Sequence, residues 1–524
     1  MSGPALTLGG LNDAAPAHRV ALAFADGSAS FGDLAARSSR LARLLAARGV
    51  ARGDRVGLWM PNRPEWMVAA LACWRLGAGV FALNPRLRAG DMGKLIAQSG
   101  IRALIFEGET GEAPWAEILR EIPEARRASL ALLVSADAAP EILPDLPQVA
   151  MTESDALSAA PLDAARPGDV AMVFATSGTT SGPKLVLHSH ERLAAQARDI
   201  AARLLPDPAG ARPLLSIPFA GAFGFTIALM SLASAATLLV ERRFVPAESV
   251  ARIRAEGVTH LYGTDDMADK WLEAAEGTPA FPSVSYMGFA AYTPNLGDIA
   301  ERAEARGLRM IGMYGMSELL AFFSAQPADA PAAERGNGGG HALCPTARMR
   351  VCHPDDDREL PSGEAGELQV LSPNRFLEYL DNPEANAGAF AEGGWFRTGD
   401  LARMTPDGRM VFLSRIKDVL RLGGWLTDPA EIEAVVRAQP GVASAQVVAI
   451  PMDRSVRPVA CVIARAGETP DEAAIIAACQ AELAIWKAPV RVLTFDDFPV
   501  TDSPNGAKVQ RNVLRDRAAA RLGA

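Results

Sequence analysis

Thr176-Ser177-Gly178-Thr179-Thr180-Ser181-Gly182-Pro183-Lys184 sets two glycines and one lysine among hydroxyl side chains, with no acidic residue in the run. Apolar stretches flank it, Val170 to Ala175 before and Leu185 to Leu187 after, so it reads as a tight loop between two strands. Such a loop can turn backbone N–H groups and hydroxyls toward one point beside an ammonium, which makes a cradle for phosphate. The spacing is not that of a P-loop, which has four residues between its glycines and ends in Lys-Ser/Thr. Here three residues separate Gly178 from Gly182, and Pro183 precedes Lys184. A Ser/Gly-rich surface turn has the same composition, so the loop takes its meaning from the rest of the chain.

The 524 residues leave room for several domains. With 49% hydrophobic and 22% charged residues, the composition is globular with ample core. A net charge of −9 speaks against nucleic-acid binding, which calls for a basic face. Cys73, Cys344, Cys352, Cys461 and Cys479 stand at neither CxxC nor metal-ligand spacing and read as free thiols of a reducing compartment. The start of the chain lacks a basic segment followed by an apolar core, so the expectation is a cytoplasmic protein. Phe219 to Val240 is uncharged and long enough to cross a bilayer. Its Gly, Ser and Thr residues make a poor lipid-facing helix, and it divides into a helical part (Thr226 to Ser234) and a β-prone part (Thr237 to Val240). A buried helix and strand are expected there, with no membrane span.

Arg55 to Met60 reads as a strand, and Asn62 as the cap of a helix with Pro64 and Glu65 in its first turn and Gly77 after its end. A second strand follows at Val80 to Leu83, completing a parallel βαβ unit. Phe31 to Ala47 has helical spacing, while Ala103 to Phe106 and Leu130 to Val134 are short strands. Ala136 to Pro167 reads as a surface connection, and Ser189 as the cap of a helix reaching about Leu205. Val258 to Tyr262, Val284 to Met287 and Arg309 to Met313 are further strands; Gln326 to Gly340 is a long loop and Asp355 to Asp357 a solvated turn. From Gly366 the texture is β-rich, with strands at Glu367 to Leu371 and Arg409 to Leu413. Strands at Val447 to Ile450, Val459 to Ala464 and Val490 to Phe495, with a helix at about Asp471 to Leu483, make a small α+β unit large enough to be a domain. The fold class is therefore α/β: a large N-terminal domain of mixed α/β layers, residues 1–416, joined by a hinge to a small α+β C-terminal domain, residues 417–524.

Five motifs in order give this layout a family. The loop Thr176–Lys184, Tyr314-Gly315-Met316-Ser317-Glu318, Trp395-Phe396-Arg397-Thr398-Gly399-Asp400-Leu401, Ser414-Arg415-Ile416-Lys417-Asp418 and Asn505-Gly506-Ala507-Lys508 resemble the signatures of the AMP-forming adenylate synthetases. Gly53-Asp54-Arg55-Val56 and Pro61-Asn62-Arg63-Pro64-Glu65 fit as well, so the resemblance covers nearly the whole chain. It implies an enzyme that joins a carboxylate to the α-phosphate of ATP, expels pyrophosphate and passes the acyl group to a thiol, with ATP, Mg2+ and coenzyme A as cofactors. The chemistry asks for neutralised phosphate charge and a held attack geometry.

The resemblance also implies roles. Thr176, Ser177, Gly178, Thr179, Thr180, Ser181, Gly182 and Lys184 would wrap the β- and γ-phosphates, with Thr179 counted among the catalytic residues. Glu318 would be the Mg2+ carboxylate, Ser317 would meet the α-phosphate, and Tyr314 and Gly288 would lie at adenine. Asp400 would take the ribose hydroxyls with Arg415 nearby, and Lys508 would reach the α-phosphate and the substrate carboxylate. Lys417 matches the hinge, and Gly423-Gly424 the place where a pantetheine arm enters.

Several positions depart from the common pattern. Gly221 replaces a frequent histidine, Gly288-Phe289-Ala290-Ala291-Tyr292 carries an unusual aromatic, Gly312 replaces a frequent Asn, and Trp425-Leu426 stand where Glu-Asn is common. The acyl surroundings, Gly221, Phe223 and Phe289 among them, are small or apolar and hold no arginine or lysine to pair with a second carboxylate. Asp265 and Asp266 are the polar exceptions and read as a solvated turn. The sequence favours a medium- or long-chain fatty acid, with an aryl or alicyclic acid as the alternative. The acceptor is CoA or the thiol of a separate carrier protein, a homodimer is compatible, and a nucleotide-binding protein without turnover is the remaining reading. Lys508→Ala is expected to depress adenylation far more than thioester formation from supplied acyl-AMP, measured as separate half-reactions. Equal loss in both would remove the role given to Lys508.

Overall fold

The computed structural model describes residues 6–108, 114–138, 141–176, 183–291, 296–416, 420–422, 425–427, 429–452, 455–484, 486–503 and 506–523, the side chains of 421, 425, 426, 455 and 501–508 excepted. Within them the βαβ unit is present as strand Arg55–Trp59, helix Pro64–Leu76 and strand Gly79–Ala82, the two strands parallel. Gly77 ends the helix at φ 74°, the left-handed conformation that glycine adopts without a Cβ penalty. Asn62 does not cap it. The N-cap is Arg63, which makes no side-chain cap bond, and Pro64 in the first turn has no N–H to satisfy. Asn62 points into a seam instead: its Nδ2 donates to the carbonyls of Ile217 (2.9 Å) and Glu241 (3.0 Å), and its Oδ1 accepts from Phe219 N (2.7 Å).

That seam joins two sheets. The first has seven strands in the spatial order Gln148–Ala150, Leu132–Ser135, Ala103–Phe106, Arg55–Trp59, Gly79–Ala82, Val170–Ala175 and Leu185–Ser189. Its pairings are parallel except the last, which is a hairpin across the Thr176–Lys184 loop. The second, with 14 strands among the described residues, is parallel through Val20–Phe24, Leu238–Val240, Pro213–Leu215, His260–Thr264, Tyr286–Ala290 and Met310–Tyr314. It then continues antiparallel through Ser324–Ala325, Gly339–Ala342, Met410–Arg415, Trp395–Met404, Ala365–Leu371 and Arg348–Cys352. Strands His260–Thr264 and Met310–Tyr314 are buried at every position, as parallel strands covered on both faces must be. Chain order reverses at Pro213–Leu215, which lies between Leu238–Val240 and His260–Thr264. Ligands of open α/β sheets gather outside the carboxyl ends at such a switch. Pro218 to Gly221, Ala290 and Tyr314 to Glu318 all stand at or just beyond these ends.

The residues from 429 on form a unit with its own core. Strands Val442–Met452, Ser455–Ala464 and Arg491–Thr494 make one sheet with helices Pro429–Arg437, Glu472–Glu482 and Arg511–Leu522 around it. Buried Glu433 accepts from Arg511 Nη1 (2.6 Å) and from Val447 N (2.8 Å), so its charge is paired.

Phe219 to Val240 forms helix Ala222–Ser234 and strand Leu238–Val240, and no helix among the described residues is long and apolar enough to cross a membrane. Three expectations need correction. The connection 136–167 contains strand Gln148–Ala150 and the helical turn Met151–Ala156; three residues carry too little alternation to read, and pairing with Leu132–Ser135 makes the strand. The long loop 326–340 contains the helical turn Ala332–Arg335. Asp357 is more than a solvated turn: it ion-pairs Arg397 and accepts from Gln369 (2.6 Å).

Asn62→Ala would leave three buried backbone groups of the inter-sheet seam without their partner. A loss of about 2–4 kcal/mol is expected, seen as a lower melting temperature and urea midpoint. An unchanged unfolding curve would show that the seam does not depend on Asn62.

Candidate active site

Strand Leu185–Ser189 follows the predicted phosphate loop and organises its surroundings. Residues 177–182 lie outside the described residues, so Ser177, Gly178, Thr179, Thr180, Ser181 and Gly182 are not placed. The base of the loop is: Thr176 N and Oγ1 approach Lys184 O at 2.9 and 3.4 Å. On its other edge the strand meets 377–380, with Leu377 N donating to Leu187 O (2.7 Å), Leu187 N to Glu378 O (3.0 Å) and Leu380 N to Leu185 O (2.8 Å). The two-residue period splits its side chains. Leu185 and Leu187 enter the core of the first sheet, whereas Val186 packs with Tyr314, Leu319 and Tyr379. Lys184 and His188 share the face of Val186.

That face meets Glu318. Tyr379 Oη donates to Glu318 Oε1 at 2.9 Å, Phe376 N donates to Glu318 O at 2.8 Å, and Lys184 Nζ lies 4.7 Å from the centre of the Tyr379 ring. Burial, reinforced by the neighbouring carboxylate, pushes the Tyr379 hydroxyl well above its ordinary pKa, so it stays a neutral donor. Sequence reasoning missed Tyr379. It belongs to none of the motifs, and Phe376-Leu377-Glu378-Tyr379-Leu380-Asp381 mixes apolar and acidic residues without marking it.

Ser317 and Glu318 occupy a tight turn, Ser317–Leu319, directly after strand Met310–Tyr314. Leu320 (φ 54°) and Ala321 (φ 56°) are both left-handed, a conformation that costs non-glycine residues about 1–3 kcal/mol each. The chain folds back so closely that a Cβ on Gly315 would stand 1.7 Å from Ala321 O. Glycine is obligatory there.

Tyr314, Asp400 and Arg415 come together. Tyr314 Oη donates to Asp400 Oδ2 at 2.6 Å, Arg415 Nε approaches Asp400 Oδ1 at 3.0 Å, and the Tyr314 ring packs 5.7 Å from Phe412. Asp400 and Arg415 are direct cross-strand partners. Burial, with Asp400 beside it, raises the Tyr314 hydroxyl as well. Each carboxylate oxygen offers two lone-pair directions, so Asp400 can hold these partners and still accept hydroxyls.

Beneath the carboxyl ends lies an aromatic wall. Tyr262 stacks on Phe322 at 5.5 Å, and Phe223 meets Phe322 edge-on at 5.0 Å. Tyr262 is fixed from behind by a 2.7 Å bond between its hydroxyl and that of Tyr286, which itself donates to Leu204 O (2.7 Å). A Cβ on Gly288 would come within 2.6 Å of Met313 Sδ and 2.8 Å of the Tyr262 ring, so the wall closes against that glycine. Phe289 is buried beside it. Gly221 is different: a Cβ there would meet only Pro218 O, at 3.7 Å, leaving space open. Gly312 is required by packing, since a Cβ would fall 2.1 Å from Asn337 O. Asp265 is buried at the start of helix Asp265–Ala274, and Asp266 pairs with Lys270 (2.7 Å), so the two are a helix start and not a solvated turn.

Lys417, Gly423 and Gly424 lie outside the described residues. Lys508 is placed by its backbone, in strand Gly506–Val509 opposite Thr501. The described residues thus bring together the loop base, Glu318, Ser317, Tyr314, Asp400 and Arg415.

Known proteins share this arrangement. Residues 12–380 match the AMP-binding enzyme family and residues 431–504 the AMP-binding enzyme C-terminal domain. Triostin synthetase I of Streptomyces triostinicus is 30% identical over 510 residues, covering 95% of this chain and 91% of that protein. A salicylyl-CoA synthase / salicylate adenylyltransferase of a Streptomyces species is 29% identical over 516 residues, 95% of this chain and 90% of the relative. Among solved structures, ATP-bound MatB from Rhodopseudomonas palustris superposes with a TM-score of 0.85 at 26% identity, covering 98% of both chains. With five motifs in order and both domains matched, the chain belongs to the AMP-binding enzyme family, the AMP-forming adenylate synthetases, and is an AMP-forming acid–thiol ligase.

Proposed function

We propose that this protein joins an aromatic carboxylic acid to coenzyme A through an acyl-adenylate, with MgATP as the activating substrate. The observation that carries the substrate class is the aromatic wall. A long acyl chain needs a deep channel lined by small side chains, whereas here Tyr262, Phe322 and Phe223 fill the depth below Gly288 at ring separations of 5.0 and 5.5 Å. A flat ring needs only a short slot, and offset or edge-on contact with such faces is worth about 0.5–1.5 kcal/mol beyond area burial. The salicylyl-CoA relative supports the same class. An aromatic acid therefore replaces the fatty acid that small and apolar residues alone favour.

In the first half-reaction a carboxylate oxygen bonds to the α-phosphorus of ATP and the bond to pyrophosphate breaks. In the second, the thiolate of CoA bonds to the acyl carbon and AMP leaves. Lys184 and the loop it closes would hold the β- and γ-phosphates, Asp400 the ribose, and Tyr314 and Gly288 the adenine. Mg2+ fits the donors present. Glu318 offers one fixed carboxylate, and the described residues hold no group of three or more His, Cys, Asp or Glu placed to hold a metal ion. A Mg2+ ion is commonly held by one or two carboxylates, substrate phosphates and waters, not by an all-protein cage. The ion would supply charge neutralisation at the phosphates, and Glu318 would orient it. Lys417 is proposed as the pivot between the units 1–416 and 417–524. Strand Met410–Arg415 is built into the large sheet, and helix Pro429–Arg437 packs in the core of the small unit, so the link lies between them.

The test is incubation with MgATP and a panel of benzoates, cinnamates and C6–C16 fatty acids, with and without CoA, followed by mass spectrometry. Aryl-CoA and AMP are expected, with kcat/KM for the best aryl acid about 100-fold above that for any fatty acid. A fatty acid as best substrate would overturn the substrate class, and acyl-AMP that persists despite CoA would assign the acceptor to a carrier protein. Glu318→Gln, which keeps the acceptor for Tyr379 but removes the charge, should lower the adenylation rate about 100-fold and raise the Mg2+ needed for half-saturation. An unchanged Mg2+ dependence would take the metal role from Glu318.

A further inference from the structure

His188 is fully buried in strand Leu185–Ser189, and its Nε2 lies 2.7 Å from the carbonyl oxygen of Ser317, 129 residues on. A carbonyl only accepts, so Nε2 carries the proton and donates it. Burial depresses the imidazole pKa to about 4, which keeps the ring neutral, and Nδ1 has no hydrogen-bond partner among the described residues. A buried imidazole with one nitrogen unsatisfied costs stability relative to an apolar residue of similar size. The hydrogen bond its ring makes among the described residues is to the turn that carries Ser317 and Glu318.

The turn needs such bonds. With Leu320 and Ala321 left-handed, its own backbone bonds are short-range, Leu320 N to Ser317 O (3.3 Å) and Phe322 N to Leu320 O (2.6 Å), and its carbonyls keep room for side-chain donors. Side chains from three separate elements meet them: His188 reaches Ser317 O, Gln196 of helix His190–Leu204 reaches Phe322 O (3.2 Å) and Leu319 O (3.5 Å), and Thr226 of helix Ala222–Ser234 reaches Leu320 O (2.8 Å). Gln196 and Thr226 are buried too. Of the three, His188 alone lies on the strand that closes the phosphate loop, on the face shared by Lys184 and Val186. The same strand holds Tyr379 through the Val186–Tyr379 bridge, and Tyr379 holds the Glu318 side chain.

We propose that His188 is a positioning residue that locks the backbone of the Ser317–Glu318 turn to the phosphate-loop strand. It thereby sets the distance between the loop that would take the β- and γ-phosphates and the carboxylate that would orient the cation. This rests on the proposed function for its catalytic consequence but not for its structural one. His188 touches no substrate; it acts through the main chain of Ser317.

The test compares His188→Leu, which fills the space without a donor, with His188→Gln, which restores an N–H toward Ser317 O. Amide hydrogen exchange of the segment 316–323 in the unliganded protein is read first. Exchange about tenfold faster in His188→Leu, near wild type in His188→Gln, is expected for the loss of one net hydrogen bond. In parallel, acid-dependent ATP–pyrophosphate exchange should fall about tenfold in His188→Leu with a raised half-saturation for MgATP, while thioester formation from supplied acyl-AMP stays within about twofold. Unchanged exchange of 316–323 in His188→Leu overturns the proposal. So does a Gln variant as impaired as Leu, or an equal loss in both half-reactions. If the exchange pattern appears but wild-type protein consumes no ATP with any acid, the lock stands and the functional reading fails.

Discussion

The hydrogen bond from Tyr379 to Glu318 is the contact on which the geometry of this site depends. Glu318 is buried, and a buried carboxylate must be paired or hydrogen-bonded. A lysine or arginine partner would satisfy it and also cancel its charge. A phenol satisfies it without doing so. The raised pKa of Tyr379 keeps that donor neutral, so the phenol brings no charge of its own beside the Glu318 carboxylate. Lys184 Nζ stands over the face of the Tyr379 ring, 4.7 Å from its centre.

Tyr379 can do this only because of where its segment runs. The strand after the phosphate loop has one edge paired with Val170–Ala175 and the other with 377–380, so the loop base and the Glu318 partner sit on adjacent chains. The Glu318 turn lies where the large sheet changes from parallel to antiparallel, between Met310–Tyr314 and Ser324–Ala325. A change of direction needs a tight reversal, and this one uses Gly315 against Ala321 with two left-handed residues. Strain in that turn is held by the side chains of His188, Gln196 and Thr226. The second anchor follows from the antiparallel half, where cross-strand register alone sets Arg415 opposite Asp400.

Much of this was legible in the sequence for a plain reason: order and spacing. Helix Phe31–Ala47 carries strong periodicity and the helix of the βαβ unit a glycine stop, and five motifs in sequence identify the family whatever each is worth singly. Residues joined through space were not legible. Tyr379 lies 61 residues from Glu318 and His188 lies 129 from Ser317, with no shared motif. Asn62 shows the same limit from the other side. Its type and its place just before Pro64 suit a helix cap, yet the seam between two sheets offers it three buried backbone partners. Tertiary demand outweighs a cap worth about 1 kcal/mol.

The departures from the family pattern carry unequal weight once packing is known. Gly312 answers to Asn337 O, 2.1 Å from where a Cβ would stand, so it reflects how the 335–337 segment lies on the strand and not substrate chemistry. Gly288 is held small by Tyr262 and Met313, and there the constraint and the acyl surroundings coincide. Gly221 meets no close neighbour, so nothing in the fold forbids a larger side chain. Its glycine is thus a choice left to function. A Cβ on Gly221 would meet Pro218 O only at 3.7 Å, while Tyr262, Phe322 and Phe223 pack ring against ring at 5.0 and 5.5 Å. On the proposed reading a rigid planar acid would lose less there than a flexible chain, which would have to give up rotamer freedom on binding.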